Sequence, residues 1–331
     1  MPNSATGLVS ALGFAEETVY GTAVAPSRWM EFLSESIELR PVTLQSNGLR
    51  AGALNLRRGS RRARTRRDAG GSLSIEVPTT GFGLVLKHLM GGTPVVAQQG
   101  GTTAWLQTHA LGSAAGKSLT IQKQLRDSAN ALVQQFTTVG AKVLTGELKI
   151  TADQILTCDL EVDGRDMNVS TAAGSASYPA NNVFNFTQGT LTVGGATLAK
   201  VTDASVKLER PQSTDGFYLG SAGLKSEPVE NDYPMVTGTL ACEFDSDIKT
   251  AVYDRFAADT AAALVLTFTG AVISGAFSQQ LVVTVPDMRF TGETPKVGGP
   301  DLVLLNAPWE AAWDGTSPGM TVTYQSTDVA V

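Results

Sequence analysis

Side chains able to carry out chemistry are few and scattered in this sequence. There are two histidines, His88 and His109, and two cysteines, Cys158 and Cys242. Catalysis or metal binding would need several such groups, with carboxylates, brought to one place, and no spacing in the chain indicates this. We expect structural roles for the histidines and places in the core of a reduced protein for the cysteines. The sequence therefore predicts no catalytic residue, no metal ligand and no cofactor.

Gly81-Phe82-Gly83 is the pattern most similar to a phosphate-binding loop, because it stands between a predicted strand and a predicted helix. A dinucleotide-binding loop would have its third glycine at position 86, where the chain has Leu86. We therefore expect these glycines to ease the start of the helix. The G-x-x-x-x-G-K-[ST] and H-E-x-x-H patterns are absent, and the sequence does not predict an enzyme.

Positive charge is concentrated in one stretch of the chain. Seven arginines fall within eleven residues, namely Arg57, Arg58, Arg61, Arg62, Arg64, Arg66 and Arg67. Because the formal net charge of the whole chain is -6, the remainder carries -13 once these seven charges are removed. Clustered arginines can neutralise nucleic-acid phosphates, but the run has no interleaved aromatic residue for base stacking. We expect an arm that docks on an acidic surface of another subunit. A nucleic-acid-binding arm and a solvated loop without a partner are the alternatives.

A second long connection supplies an acidic candidate for that partner surface. It runs from Pro211 to Met235 and carries a single lysine, Lys225. Its acidic residues are Asp215, Glu227, Glu230 and Asp232. Equivalent loops of opposite charge, in two copies of one domain, would suit head-to-tail contacts between subunits.

One stretch combines a strand with a helix, and the chain is interpreted around it. In Gly71–Met90, apolar and polar residues first alternate from Leu73 to Val77, as in a strand with one buried face. Thr79 and Thr80 are then expected to cap a helix. The predicted buried stripe of that helix consists of Phe82, Val85, Leu86 and Leu89.

The same order of strand, cap and helix returns in Gly238–Asp259. Gly238 corresponds to Gly71, and Asp245 and Ser246 take the capping positions. The predicted buried stripe consists of Ile248, Val252, Tyr253 and Phe256. An alternating strand alone is a common chance match, whereas strand, cap and helix in order are not. The chain is therefore interpreted as two copies of one strand-plus-helix domain.

The predicted domains follow from this repeat, since a chain of 331 residues suits two domains of about 150 residues each. The predicted segments are an arm with little regular structure at 1–28, a first domain at 29–167 with an Arg-rich loop at 45–70, a linker at 168–182 and a second domain at 183–331. Further strands are predicted at Ser36–Leu39, Thr103–Ala110, Ser118–Gln122, Ala131–Thr137, Val143–Ile150, Ile155–Val162, Ser205–Leu208, Ala262–Phe268, Leu281–Val285 and Leu302–Ala311.

Composition agrees with a soluble, loop-rich β protein. The chain is 42% hydrophobic and 17% charged, and it has 34 glycines. No apolar run approaches the roughly 20 residues of a membrane-spanning helix. The first residues make a poor signal peptide, because no basic residue precedes their short apolar segment.

The order of features resembles the tail tube protein (major tail protein) of long-tailed bacteriophages. The stretches that carry the resemblance are Gly13–Thr22 (GFAEETVYGT), Arg28–Leu33, Gly70–Gly92 and Trp105–Gln122. They cover most of the first copy, and the second copy is similar more loosely. The resemblance implies a mainly β (α+β) fold with two tandem tail-tube-type β-barrel or sandwich domains, each with one flanking helix.

The resemblance also implies a function and partners. Such proteins are structural and assemble with copies of themselves into stacked rings, which form the tube that conducts the phage genome. The implied partners are other subunits, other tail proteins at the tube ends, and DNA that passes without specific binding; no membrane is implied. The implied location is the virion tail, after assembly in the host cytoplasm.

The number of subunits per ring is left open by the sequence. Related tubes have six domains per ring, so a chain with two such domains would need three subunits and give pseudo-sixfold rings. A second domain that decorates the outside would instead give a true hexamer. Family members contact the adjacent ring through a long loop, and Gln45–Gly70 is the matching position. The arginine cluster itself is a feature of this sequence that the resemblance does not imply.

Overall fold

The computed structural model describes residues 3–50, 56–180, 182–292 and 294–331. In these residues the chain is mainly β, with one sheet of 19 strands and a separate pair of short strands. Strands up to residue 168 are β1 Ala5–Glu16, β2 Arg28–Met30, β3 Ser34–Glu35, β4 Glu38–Gln45, β5 Arg62–Glu76, β6 Val95–Gln98, β7 Trp105–Ala110, β8 Leu119–Asp127, β9 Leu132–Thr151, β10 Thr157–Gly164 and β11 Asp166–Asn168.

The second half of the chain, 183–331, continues the same sheet. Its strands are β12 Gly189–Val193, β13 Ala196–Thr197, β14 Val201–Glu209, β15 Gln212–Ser213, β16 Val229–Glu230, β17 Met235–Glu243, β18 Ala262–Ser274, β19 Phe277–Phe290, β20 Leu304–Ala312 and β21 Thr321–Ser326. Helix α1 is Gly83–Met90 in the first half. In the second half, α2 (Ser246–Ile248) runs through a π-helical turn, Lys249–Tyr253, into α3 (Asp254–Ala258).

The two halves share one order of neighbouring strands. In the first half the hydrogen-bonded order is β4, β5, β10, β9, β8. In the second half it is β14, β17, β20, β19, β18. The helix follows the second strand of each series, after β5 and after β17.

The register at one point of this order is also repeated. Ser36 Oγ lies 2.8 Å from Ser72 Oγ, and Ser205 Oγ lies 3.1 Å from Thr239 Oγ1. Beside each pair is a glycine that allows two strands to approach closely. A Cβ atom at Gly71 would lie 2.4 Å from the carbonyl oxygen of Ser36, and one at Gly238 would lie 2.1 Å from that of Ser205. The correspondence of Gly238 with Gly71 therefore has a physical counterpart.

The two helical segments begin differently. Asp245 caps α2 as predicted, because its Oδ1 accepts from the N–H groups of Asp247 (3.0 Å) and Ile248 (2.9 Å). The prediction for Thr79 and Thr80 is wrong, since α1 begins at Gly83 without a side-chain cap. Thr79 Oγ1 instead accepts the N–H of Asn182 at 3.1 Å. All four residues of the predicted stripe of α1 are buried.

Three further expectations need correction. The arm 1–28 was expected to have little regular structure, but β1 pairs with β8 along most of its length. The loop 45–70 is shorter than predicted, because β5 begins at Arg62. The two strands predicted at Ala131–Thr137 and Val143–Ile150 are one strand, β9, which passes through Gly140 at a positive φ of 63°.

The first half contains a hairpin that the second half lacks at the corresponding place. Strands β6 and β7 lie between α1 and β8, whereas β18 follows α3 almost directly. Strand β7 pairs with β21 of the second half, and β14 pairs with β9 of the first. One hydrophobic core cluster extends through both halves. The strands of the described ranges do not close into a barrel, and the domain division at 168–182 stays a prediction.

Both histidines are buried in the elements where they were predicted. Burial, together with the nearby Lys87, Lys117 and Lys142, lowers the pKa of His88 on α1 to about 3. Burial also lowers the pKa of His109 on β7 to about 4. A histidine that stays neutral in the folded state binds fewer protons than the unfolded chain does. Folding stability is therefore lost as the pH falls from the unfolded pKa of about 6.5 toward these values.

We predict that replacing both histidines flattens this pH dependence. At pH 5.5 each buried neutral histidine should cost about 1.4 kcal/mol of the free energy of unfolding. The double variant His88→Met/His109→Gln should therefore lose much less stability between pH 7.5 and 5.5 than the unmodified chain, and each single variant should lie between. Denaturant unfolding at both pH values measures this. Equal pH slopes for all four proteins would contradict the assignment.

Candidate assembly surface

The arginine cluster lies on a long β-hairpin, which we call the Arg arm: β4, the connection after it, and the beginning of β5. Arg62 lies opposite Gln45, and Arg64 lies opposite Thr43. The side chain of Gln45 donates from Nε2 to the carbonyl oxygen of Arg58 at 2.9 Å. Residues 51–55 of the predicted loop 45–70 lie outside the described residues. Pairing between the strands holds successive arginines at fixed positions along the hairpin.

Six of the seven arginines make no ion pair within the described part of the chain, and only Arg67 does. Five of the six also have no aromatic ring beside them there, and they are Arg57, Arg58, Arg61, Arg62 and Arg64. All but Arg58, which is partly buried, are exposed. Leu44 and Leu56 are 60% and 90% exposed on the same arm. Exposed apolar side chains among arginines are typical of a surface that meets another protein.

The other two arginines bind their own chain at the base of the arm. Arg67 Nη2 lies 2.7 Å from Asp166 Oδ2, and the Arg67 N–H donates to the carbonyl oxygen of Gly223 at 3.0 Å. The guanidinium of Arg66 stacks over the ring of Phe217, 5.0 Å from its centroid. The connection 211–235 therefore fixes the direction in which the Arg arm leaves the body.

The four acidic residues predicted as the partner surface of the Arg arm fall into two groups in the structure. Glu227 Oε1 lies 2.5 Å from Lys142 Nζ, and Glu230 is paired with Arg210, so both have partners inside the chain. Asp215 and Asp232 are exposed, and neither makes an ion pair within the described ranges. Contact between the Arg arm and an acidic surface of another subunit stays a prediction, and its support in this loop is reduced to these two aspartates.

A buried lysine anchors the same connection to the first half of the chain. The fully buried Lys225 places its Nζ 2.5 Å from Asp163 Oδ2 on β10 and 3.7 Å from Asp68 Oδ2 on β5. Asp163 Oδ1 also accepts from Arg40 Nη2 at 3.0 Å. Burial raises the pKa of Asp163 above its ordinary value, although Lys225 and Arg40 offset part of this rise. In the sequence Lys225 was only the exception in an acidic loop, and no local pattern indicates its burial.

A second buried cation, Arg210, ties the connection to α1. Its Nη1 donates to the carbonyl oxygens of Met90 (3.0 Å) and Leu89 (3.3 Å), at the end of the helix where cations are favoured. Its Nη2 donates to the carbonyl oxygen of Gly112 at 2.5 Å and to Glu230. Burial would raise the pKa of Glu230, but Arg210 and the hydrogen bonds from Ser113 and the Ala114 N–H together outweigh it, and the pKa lies below its ordinary value.

Side chains that could act as catalysts or metal ligands are not gathered at another place in the described chain. No cluster of three or more His, Cys, Asp or Glu side chains that could hold a metal ion is found there. Gly315–Gly319 has the G-x-S-x-G spacing, but it lies in the connection between two strands, β20 and β21, and not between a strand and a helix. The N–H groups of Thr316 and Ser317 donate to Asp314 in a local turn.

Comparison with protein families identifies the class of protein to which the chain belongs. A model of the phage tail tube protein family matches residues 7–311. The chain belongs to the phage tail tube protein family. No curated protein matches it significantly.

Membership of the tail tube family confirms the resemblance drawn from the order of sequence features. The match includes most of β1, the Arg arm, both helical segments and the connection 211–235. It supports a structural protein of the phage virion, located in the tail. Within the described residues, no helix of this tail tube protein has the length and apolar character of a bilayer span.

We predict that the Lys225 contact is important for the stability of this tail tube protein. Lys225→Met would leave Asp163 buried beside Asp68 without its closest cation, which should cost about 3–5 kcal/mol of the free energy of unfolding. Adding Asp163→Asn should restore part of that loss, because the buried charge is then removed as well. Denaturant unfolding measures both.

The exposed pair of Lys249 and Asp254 provides the matched control, with Nζ 2.7 Å from Oδ1. Lys249→Met should change the free energy of unfolding by no more than about 0.5 kcal/mol. A similar loss from Lys225→Met and Lys249→Met would show that the connection 211–235 is not anchored by its buried lysine.

Proposed function

We propose that this protein assembles with identical copies into rings, and that stacked rings form the tail tube through which the phage genome passes. Membership of the tail tube family is the observation that carries the proposal. Exposed apolar side chains give it physical support, because Leu8 (92%), Leu44 (60%), Val297 (78%) and Leu302 (70%) are left in solvent by a single chain.

The repeated strand order favours three chains per ring. If 29–167 and 183–331 are two tandem domains of the tail tube type, each chain supplies two similar positions around the ring. Strand β14 of the second half already pairs with β9 of the first, and this pairing is a pattern that a neighbouring chain could repeat. Three chains would then close a pseudo-sixfold ring, whereas a decorating second half would require six.

Charge fits a conduit for DNA that has no need to bind it. Outside the seven clustered arginines the chain carries a net charge of -13. An acidic inner surface would repel DNA phosphates and keep the genome from adhering. In this proposal the protein acts without catalysis or a cofactor, and it meets other tail proteins at the ends of the tube.

Electron microscopy of the purified protein tests the proposal. We expect rings or tubes, and class averages of end views should show threefold symmetry with six similar lobes. Six identical lobes would contradict the ring of three chains but not the tube. Dispersed monomers that shift on DNA with a steep salt dependence would contradict the tube and favour the nucleic-acid-binding alternative.

The Arg arm is proposed to contact the adjacent ring. Its five arginines with neither an ion pair nor an aromatic ring beside them were named above, and replacing all five by glutamate should leave rings intact but prevent their stacking, because an acidic neighbour would now repel the arm. The defect should weaken as salt is raised, since exposed charges are screened. Sedimentation of tubes against rings measures this.

Arg67→Gln serves as the control for this variant, because that arginine is paired with Asp166 at the base of the arm. It should affect the stability of the single chain more than the stacking of rings. Normal tubes from the five-glutamate variant at low salt would overturn the proposed contact.

A further inference from the structure

Two equivalent strands differ in their neighbours: the one in the second half lies inside the sheet, and the one in the first half lies at an edge. Strand β14 pairs with β17 on one side and with β9 on the other, where Val206 lies opposite Leu148 and Leu208 lies opposite Gly146. Strand β4 holds the corresponding place in the first half, but among the described residues it pairs only with β5. The outer edge of β4 therefore has no strand beside it.

Two side chains take the place of that missing strand at Ile37, which directly precedes β4 and is the counterpart of Val206. The Ile37 N–H donates to Glu35 Oε2 at 3.0 Å, and its carbonyl oxygen accepts from Lys123 Nζ at 2.7 Å. Lys123 Nζ also lies 3.0 Å from both carboxylate oxygens of Glu35. We call Glu35 and Lys123 the edge latch, since together they bind the backbone N–H and carbonyl groups of Ile37. Val206 presents the corresponding backbone groups to another strand, β9.

A strand that pairs with the β4 edge as β9 pairs with β14 would have its equivalent in the second half, in the segment that follows β19. In the first half, a Cβ atom at Gly146 would lie 2.4 Å from Leu89 of α1. In the second half, Gly292 and Phe256 of α3 line one small cavity, so Gly292 holds the place of Gly146. Thr294 and Lys296 then correspond to Leu148 and Ile150, which belong to β9.

In the single chain this side of the junction is not formed. Gly292, Thr294 and Lys296 lie outside any strand, because β19 ends at Phe290. Val297, Leu302 and Leu304 beyond them are 78%, 70% and 65% exposed. Exposed apolar residues next to a strand that stops early suit a surface completed by another chain.

We propose that the outer edge of β4 pairs with the segment after β19 of a second copy of this chain, and that the edge latch opens when it does. This rests on the proposed function. The register of β14 with β9 places Leu39 opposite Gly292, Ile37 opposite Thr294, and Glu35 opposite Lys296 of the second copy. Glu35 then exchanges Lys123 for Lys296, and Lys123 keeps its contact with the ring of Phe136, 5.7 Å from Nζ.

This junction has fewer backbone hydrogen bonds than the one inside the chain. At the end of β14 the Arg210 N–H donates to the carbonyl oxygen of Leu144 at 2.7 Å. Pro41 holds the corresponding position on β4 and has no N–H to donate. The contact between chains is therefore the weaker of the two, as suits a contact that forms between subunits that are already folded.

A cysteine pair tests the register. Residues that face each other in a hydrogen-bonded antiparallel pair have Cα atoms about 5.5 Å apart, which allows a disulfide. Glu35→Cys/Lys296→Cys should give chains linked to one another when assembled rings are oxidised. Glu35→Cys/Val297→Cys is the control, because the neighbouring side chain points to the other face of a strand. Rings of the first variant without linked chains would overturn the pairing and leave the proposed function standing. Absence of rings from the unmodified protein would overturn both.

The latch is tested by removing its lysine, which leaves Glu35 in place for Lys296 of the second copy. Lys123→Met should lower the protein concentration needed for assembly about fivefold, since a competing interaction of the size of a surface ion pair is lost. The control is Lys87→Met, which breaks a pair with Glu16, between α1 and β1, with Nζ 2.6 Å from Oε2. It should leave that concentration unchanged. A latch variant that is folded by circular dichroism and assembles at the same or a higher concentration would contradict the latch.

Discussion

Strand β9 is the element on which the rest of the structure depends. Its 20 residues pair with four other strands, β8, β10, β11 and β14. The first part of the strand shares one edge with β8, and the last part shares that same edge with β14 of the second half. Gly140, between the two parts, has a φ of 63° and donates its N–H to Glu17 at 2.8 Å. Backbone pairing along one strand thus fixes the position of the second half relative to the first.

Buried charges complete that connection where the sheet does not reach. Lys225, Arg210 and Lys142 are all buried, and each binds a carboxylate or a carbonyl oxygen from another part of the chain. Apolar residues could have filled the same space, but they would accept several packings. A buried cation accepts few positions, because any that leaves it unpaired is costly. The connection 211–235 therefore holds the base of the Arg arm in one direction.

Local structural units were predicted correctly from the sequence. The predictions failed where the conformation depends on contacts between residues that are distant in the chain. The apolar stripe of α1, the Asp245 cap and the alternating strands depend on neighbours within a few residues, and these predictions are confirmed. β1 was missed because its polar and small residues are ordered by pairing with β8, more than 100 residues away. The burial of Lys225 is another distant effect, since it depends on Asp163 and Asp68. Of the candidate surface, the seven arginines were found, but the partners of Arg66 and Arg67 were not.

Satisfying one strand edge without inviting aggregation is a general problem for a protein that must also assemble. An open, flat edge can pair with any other strand, so its backbone groups must be covered until the correct partner binds. Directly before β4 the edge is covered at Ile37 by Glu35 and Lys123, and on β4 it is interrupted by Pro41, which lacks a donor. Both devices weaken pairing with an arbitrary strand more than pairing with a partner that also supplies a cation opposite Glu35. In the proposed ring, selectivity would then come from side chains, while backbone pairing would supply the common framework.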